Sequence, residues 1–123
     1  MELTLDRSGG HHLIRATAHD WIRVDERRLC RSFVLMPDRL EDWPPTTAAG
    51  IDAAHLDQLL ALAPELIVLG TGARQVFLPA RLQARVLARG VGLEVMGNDA
   101  AARTYNVLAA ERRRVLAAFV LPG

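Results

Sequence analysis

Lysine is absent from this chain, cysteine occurs once, and aromatic residues make up only 5% of its 123 residues. The single cysteine, Cys30, excludes an internal disulfide and fits a reducing compartment, so we expect a cytoplasmic location. The scarcity of aromatic residues predicts a core built mainly from Leu, Val, Ile and Ala. All 15 basic residues are Arg, which we interpret as a bias of composition.

The chain also lacks an excess of charge and a long apolar run. A net charge of +1 gives no field that would attract nucleic acid or an anionic membrane by default. No stretch approaches the ~18 apolar residues that cross a bilayer, and the acidic start does not resemble a signal peptide. We therefore expect a soluble protein with no transmembrane segment, for which peripheral membrane association through a partner stays open.

A chain of this length fits one domain, over residues 1–123. Short segments of β-type composition, separated by turns, dominate the first third, and strands are predicted at 2–6, 13–18, 21–24 and 29–36. Apolar residues on both faces of 29–36 predict a strand that is covered on both sides, with Cys30 in the core. The following residues, 37–50, are expected to form an irregular loop.

Helices and strands alternate in the rest of the chain. Asp52 predicts the start of a helix, and Pro64 predicts its end. The side chains expected on the buried face of this helix are Leu56, Leu59, Leu60 and Ala63. Two further helices are expected, one from Pro79 to about Gly90 and one from Asn98 or Asp99 to about Ala110. The remaining predicted strands are 66–69, 93–96 and 115–121, and the predicted core includes Leu59, Leu69, Val95, Tyr105 and Leu108.

This order of elements predicts an α/β fold: a layered single domain with a mixed β-sheet flanked by helices and a β-rich N-terminal part. The strands 66–69 and 93–96 are expected at the centre of the sheet. Because a helix connects them, they should be parallel.

Two glycines follow the strand at 66–69, in the sequence Gly70-Thr71-Gly72. A dinucleotide-binding fingerprint needs a third glycine where Gln75 stands, so the pattern favours a tight turn. It also leaves open a crevice for an anion or a partner, in which a helix N-terminus and an arginine supply donors. The candidate residues of this crevice are Gly70, Thr71, Gly72, Asn98, Arg103, Thr104 and Asn106. The alternative is a polar helix surface on which Arg103 pairs with Asp99 or Glu111.

The histidines, the cysteine and the remaining polar residues match no recognised catalytic or metal-binding motif. The four histidines lack metal-ligand spacing, and Cys30 lacks an activating base beside it. Motifs for nucleophilic, phosphate-binding or paired-carboxylate catalysis are missing from the sequence. The sequence therefore predicts no catalytic residue, no cofactor and no metal. The arginine stripe Arg81, Arg85 and Arg89 is compatible both with a functional surface and with the bias of composition.

An ordered set of motifs in the C-terminal part is distinctive. After the turn at 70–72, Pro79 precedes a helix, residues 92–96 read Gly-Leu-Glu-Val-Met, and residues 101–108 read Ala-Ala-Arg-Thr-Tyr-Asn-Val-Leu. Over about residues 29–121, this order resembles the Mth938-like family of uncharacterised small domains. Its members include the mitochondrial respiratory complex I assembly factor three. Gly97-Asn98 departs from the Asp-Thr of many relatives, and Ala102 stands where a cysteine is frequent.

The resemblance implies a compact layered α/β fold, no established enzymatic activity, and action through protein partners. We therefore expect a non-catalytic protein that acts in interaction or assembly, with an unknown protein partner and no nucleic acid. The alternative is a domain that binds a small anion, with or without enzymatic activity, in the crevice at Gly70-Thr71-Gly72 and Arg103.

Overall fold

The N-terminal strands form a small antiparallel sheet of their own. The computed structural model describes residues 10–123, and its first three strands are β1 (Ile14–Thr17), β2 (Ile22–Val24) and β3 (Arg27–Leu29). They pair in the order β1–β2–β3. The strand predicted at 2–6 lies outside the described residues.

The predicted strand 29–36 is divided at Cys30. Its second part, β4 (Arg31–Met36), belongs to a separate sheet, and Cys30 is exposed. The prediction of a core position for Cys30 is therefore wrong, because the chain passes from one sheet to the other at this residue. The two-sided cover of the strand is confirmed, since Val34 and Phe33 lie in different core layers.

A five-stranded mixed sheet forms the centre of the fold. Its other strands are β5 (Arg39–Asp42), β6 (Leu66–Gly70), β7 (Gly92–Met96) and β8 (Val115–Pro122), and the strand order is β5–β4–β8–β6–β7. β6 is parallel to both β7 and β8, whereas β8 is antiparallel to β4. The mixed sheet and the parallel pairing are confirmed. The central position predicted for 93–96 is wrong, because β7 is an edge strand.

Residues 37–50 are more regular than the sequence predicts. Met36 pairs with Arg39, so Pro37 and Asp38 form a two-residue hairpin turn that leads into β5. A short 3-10 helix, Ala48–Gly50, follows. The four residues of β5 carry only one strongly apolar side chain, Leu40, and the sequence therefore gave a weak strand signal.

The first long helix is α1 (Ala53–Leu60), and Asp52 caps it as predicted. The Asp52 carboxylate accepts from His55 N, while His55 Nδ1 accepts from Asp52 N. The helix ends before Ala63, which is exposed and has a φ of 53°. Ala63 is therefore not part of the buried stripe, and Pro64 lies four residues after the last helical residue.

The other two helices are α2 (Ala80–Leu87) and α3 (Asn98–Ala110). Both lie where the sequence predicts them. The N-cap of α3 is Gly97, which has no side chain to cap the helix, rather than Asn98 or Asp99. Asn98 is instead the first helical residue, and its side chain bonds to Gly72 and Val120, as described below.

Two core layers lie on opposite faces of the five-stranded sheet. One contains the apolar faces of α1 and α2 against Leu69, and the other contains α3 and the small sheet against Phe119. Of the predicted core residues, Leu59, Leu69 and Tyr105 are buried, whereas Val95 and Leu108 are half-buried and pack against the core. β8 contributes to both layers and is buried from Val115 to Leu121.

Candidate functional site

The turn after β6 is held by the side chain of Asn98. Asn98 Oδ1 accepts a hydrogen bond from Gly72 N at 3.1 Å, and Asn98 Nδ2 donates to Val120 O at 3.0 Å. The main-chain N of Asn98 donates to Gly72 O at 2.7 Å. Because only 4% of Asn98 is exposed, these bonds fix the start of α3 against the ends of two strands.

Gly70 is required by the proximity of Asn98. A Cβ atom added to Gly70 would lie 2.4 Å from Asn98 Oδ1 and 2.8 Å from the Phe119 ring. Gly72 has a φ of +108°, a conformation that residues with a side chain rarely adopt. The two glycines therefore serve the turn itself.

Thr71 organises the loop between β6 and α2. Its hydroxyl donates to Arg74 O at 2.7 Å and accepts from Val76 N at 3.0 Å. Gln75 Nε2 donates to Val95 O at 2.7 Å, which ties the loop to the edge strand β7. Thr71, one of the predicted crevice residues, is buried, and its hydroxyl stabilises the loop from inside.

The same loop exposes an aromatic side chain. Phe77 is 72% exposed, although the next residue, Leu78, is buried in the core. Residues 76–78 belong to no strand or helix. Sequence reasoning missed Phe77 as a surface residue because an apolar triplet at 76–78 is typical of a buried segment.

The polar residues of α3 are engaged with their neighbours. Arg103 donates to Asp99 at 2.7 Å, and Thr17 Oγ1 also donates to Asp99, at 3.2 Å. The hydrogen bond and charge of Arg103, followed by the Thr17 bond, lower the pKa of Asp99. Arg103 therefore takes one of the structural pairings that the sequence offers as the alternative.

Two other predicted crevice residues also have partners in the fold. Thr104 Oγ1 lies 3.4 Å from Met96 Sδ. The side-chain amide of Asn106 bonds to both main-chain groups of Ile14, with Oδ1 accepting from Ile14 N and Nδ2 donating to Ile14 O. Asn106 thereby links α3 to β1.

A cleft of about 400 Å³ opens beside this region. Gly72 and Asn98 are the predicted crevice residues that line it, and Gly70, Thr71, Arg103, Thr104 and Asn106 are not among its lining residues. Asp99 and Thr17, which are hydrogen-bonded to each other, also line the cleft. An anion in the cleft would therefore meet a negative charge as well as main-chain groups.

The arginine stripe of α2 is partly neutralised. Arg85 binds Asp57 of α1 in bidentate geometry, with both N–O distances at 2.8 Å. This contact, chiefly its hydrogen bond, lowers the pKa of Asp57 and raises the pKa of Arg85. The pair joins α1 to α2 on the surface, so at least the middle arginine of the stripe has a structural task.

Residues 10–123 contain no group of three or more His, Cys, Asp or Glu side chains arranged to hold a metal ion. In the same part of the chain, no helix is both long and apolar enough to cross a membrane.

Solved structures share this fold at substantial sequence identity. The NMR structure of the Xanthomonas campestris protein XCC1710 is 48% identical, with a TM-score of 0.83, and the match covers 91% of this chain and 86% of that one. A Bordetella pertussis protein described as a Mth938-like domain is 30% identical, with a TM-score of 0.80, over 100% of this chain and 94% of that one. The Mth938-like fold that the motifs predict is confirmed.

Curated relatives match over shorter stretches. The 13 kDa major membrane protein of Francisella tularensis is 38% identical over 53% of this chain. The NADH dehydrogenase [ubiquinone] 1 alpha subcomplex assembly factor 3 of Danio rerio is 32% identical over 72% of this chain. The chain spans about half the length of these relatives, 53% and 52% respectively. The family described as protein of unknown function (DUF498/DUF598) matches residues 14–120, and this chain belongs to it.

Proposed function

We propose that this chain is a non-catalytic interaction domain that assists assembly by binding a protein partner through the loop 73–78. The observation that carries the proposal is the exposed ring of Phe77 on a braced loop. The name of the Danio rerio relative, an assembly factor, supports an action of this kind.

The braced loop lowers the cost of binding. Hydrogen bonds of Thr71 and Gln75 hold the loop, and Leu78 anchors its end in the core. A partner that covers Phe77 therefore orders few additional groups, and less free energy is lost on association. Exposed aromatic residues in such positions often contribute most of the energy of an interface. Val76, which is also exposed, extends the apolar surface.

Cross-linking followed by mass spectrometry on cells that express tagged variants tests this proposal. Phe77→Ala should lose a partner that the wild-type chain retains. Val107→Ala is the matched control, because Val107 is 59% exposed and lies on α3 instead of the loop. Retention of the same partner by the Phe77→Ala variant would contradict a role for the loop.

The location that we propose is the cytoplasm, because the lone exposed thiol of Cys30 suits a reducing compartment. The name of the Francisella relative makes attachment to a membrane through the partner a second arrangement. Cell fractionation distinguishes the two. Under the proposal, any membrane-bound fraction should disappear in the Phe77→Ala variant, whereas a membrane-bound fraction unaffected by this change would contradict it.

The second candidate function is anion binding in the cleft lined by Gly72 and Asn98, with Arg103, the partner of the lining residue Asp99, as a donor. The cleft volume and the start of α3 favour it. Arg103 would have to leave Asp99 to reach a ligand. Native mass spectrometry should then find an organic anion retained by the wild-type chain and lost from Arg103→Ala. A lower melting temperature with no retained anion would identify Arg103 as structural.

A further inference from the structure

The small N-terminal sheet brings arginines that are distant in the sequence onto one outward face. Ile22 and Val24 of β2 are buried, so the residue between them points away from the core. This residue is Arg23, and its direct cross-strand partners are Ala16 on β1 and Arg28 on β3. We call Arg23, Arg28 and the adjoining Trp21 the basic face.

Two positive charges stand directly opposite each other on this face. Like charges in this position destabilise a sheet. Arg28 places its guanidinium 4.3 Å from the centroid of the Trp21 ring, which holds the cation in position. Neither Arg23 nor Arg28 has a carboxylate partner within the described residues.

Two of the nearby acidic residues have histidine partners. Asp25, which follows β2, is buried, and its Oδ2 lies 2.6 Å from His12 Nδ1. The carboxylate of Asp20 lies 3.8 Å from His19. Within residues 10–123, neither arginine of the basic face pairs with a carboxylate, whereas Arg103, on the surface of α3, has a carboxylate partner.

We propose that the basic face binds an acidic segment of a protein partner. A carboxylate accepts two parallel hydrogen bonds from a guanidinium, so two acidic side chains would neutralise the opposed arginines. The large exposed apolar side chains of the described residues lie outside this face, at Val76, Phe77, Leu87 and Val107. Stable attachment to a membrane needs an apolar anchor or a second signal besides charge. An acidic polypeptide therefore fits the face better than a lipid surface.

This surface is separate from the loop that carries Phe77, and the inference does not depend on the proposed role of that loop. Binding here should be electrostatic and exposed to solvent. Its affinity should therefore fall as the salt concentration rises.

The test uses a fluorescein-labelled polyglutamate peptide and measures its affinity for the whole chain by fluorescence anisotropy. Arg23→Gln combined with Arg28→Gln should weaken binding roughly fivefold or more. The control is Arg81→Gln combined with Arg89→Gln, which removes the same charge from exposed positions in and after α2. The control should bind as the wild-type chain does. Arg23→Lys combined with Arg28→Lys keeps the charge but not the planar guanidinium, so it should recover only part of the affinity.

Equal weakening in the two glutamine variants would overturn the inference, because net charge alone would then explain binding. It would also be overturned if vesicles containing phosphatidylglycerol bound in a manner that depends on Arg23 and Arg28 while polyglutamate did not bind. Circular dichroism checks that each variant is folded. If the double variant unfolds, Arg23→Gln alone provides the comparison, since the Arg23 side chain has no partner within the described residues.

Discussion

Asn106 on α3 bonds to both main-chain groups of Ile14, 92 residues earlier in the chain: its Oδ1 accepts from Ile14 N at 2.9 Å, and its Nδ2 donates to Ile14 O at 2.8 Å. The side-chain amide thus makes the pair of hydrogen bonds with Ile14 that the main chain of a neighbouring strand would make. Ile14 is also buried in the core layer that contains α3. The small sheet is therefore attached to the rest of the fold by a specific polar contact as well as by apolar burial.

Asn106→Ala should lower the free energy of unfolding by about 1–3 kcal/mol, because it leaves a buried donor and acceptor of Ile14 without partners. Urea denaturation measures this loss. Val107→Ala, the adjacent exposed position, is the control and should change stability little. Hydrogen exchange should become faster at the amide of Ile14. Equal stability of the two variants would show that the contact contributes nothing net.

Gly70→Ala should destabilise the protein by about 1–3 kcal/mol, because the new methyl group overlaps Asn98 Oδ1 and the Phe119 ring. Gly97→Ala is the matched control, since its Cβ would meet the main chain of Arg74 at 3.4 Å, an ordinary contact. Thermal and urea melts compare the two variants. A larger loss at Gly97 than at Gly70 would contradict the steric argument.

Leu69→Ala should cost about 2–5 kcal/mol, because it opens a cavity in the core layer beneath α1 and α2. Leu87→Ala removes the same atoms from a side chain that is 56% exposed, so it should have a much smaller effect. Denaturation in urea gives both values. A loss below about 1 kcal/mol for Leu69→Ala would show that the site collapses around the smaller side chain.

Tyr105 makes stability sensitive to alkaline pH. Its hydroxyl donates to His12 O at 2.9 Å. Burial raises the pKa of the phenol well above its ordinary value of 10.0, and the charges of Asp25 and Asp38 raise it further. The folded state therefore keeps a proton that the unfolded state releases above about pH 10. The contribution of Tyr105 is fully present below that pH and is lost as the pH rises further.

The composition makes this effect easy to observe, because Tyr105 is the only tyrosine and no lysine titrates in the same range. Phenolate absorbance should rise together with the loss of the circular dichroism signal. Tyr105→Phe should reduce the alkaline loss of stability. A phenolate signal that appears while the fold stays intact would show that Tyr105 titrates in the native state.

Local sequence patterns correctly predicted those helices and strands whose formation depends on residues close together in the chain. Asp52 and the apolar spacing after it indicated α1, and the continuous apolar run before Gly70 indicated β6. The edge position of β7 was not predictable in this way, because strand order depends on which distant strands pair. Cys30 was assigned to the core because it would share a strand face with Val34 and Met36, yet the division between two sheets falls on this residue.

Side-chain contacts between distant residues in the predicted crevice were also not predictable from the sequence. The sequence identified Gly70, Thr71 and Asn98 as a group, and the fold brings them together. It did not indicate that Asn98 would be used by Gly72 and Val120, since these bonds exist only once three elements have packed. The basic face was also hidden, because Arg23 and Arg28 become neighbours only through strand pairing.

The position of β8 has a consequence for synthesis on the ribosome. β8 lies between β4 and β6, although both precede it in the chain. Until residues 115–122 have left the exit tunnel, β4 and β6 each present an apolar strand edge without its partner. Such edges are templates for aggregation. We therefore expect a fragment that ends before β8 to aggregate, because it presents both apolar edges at once.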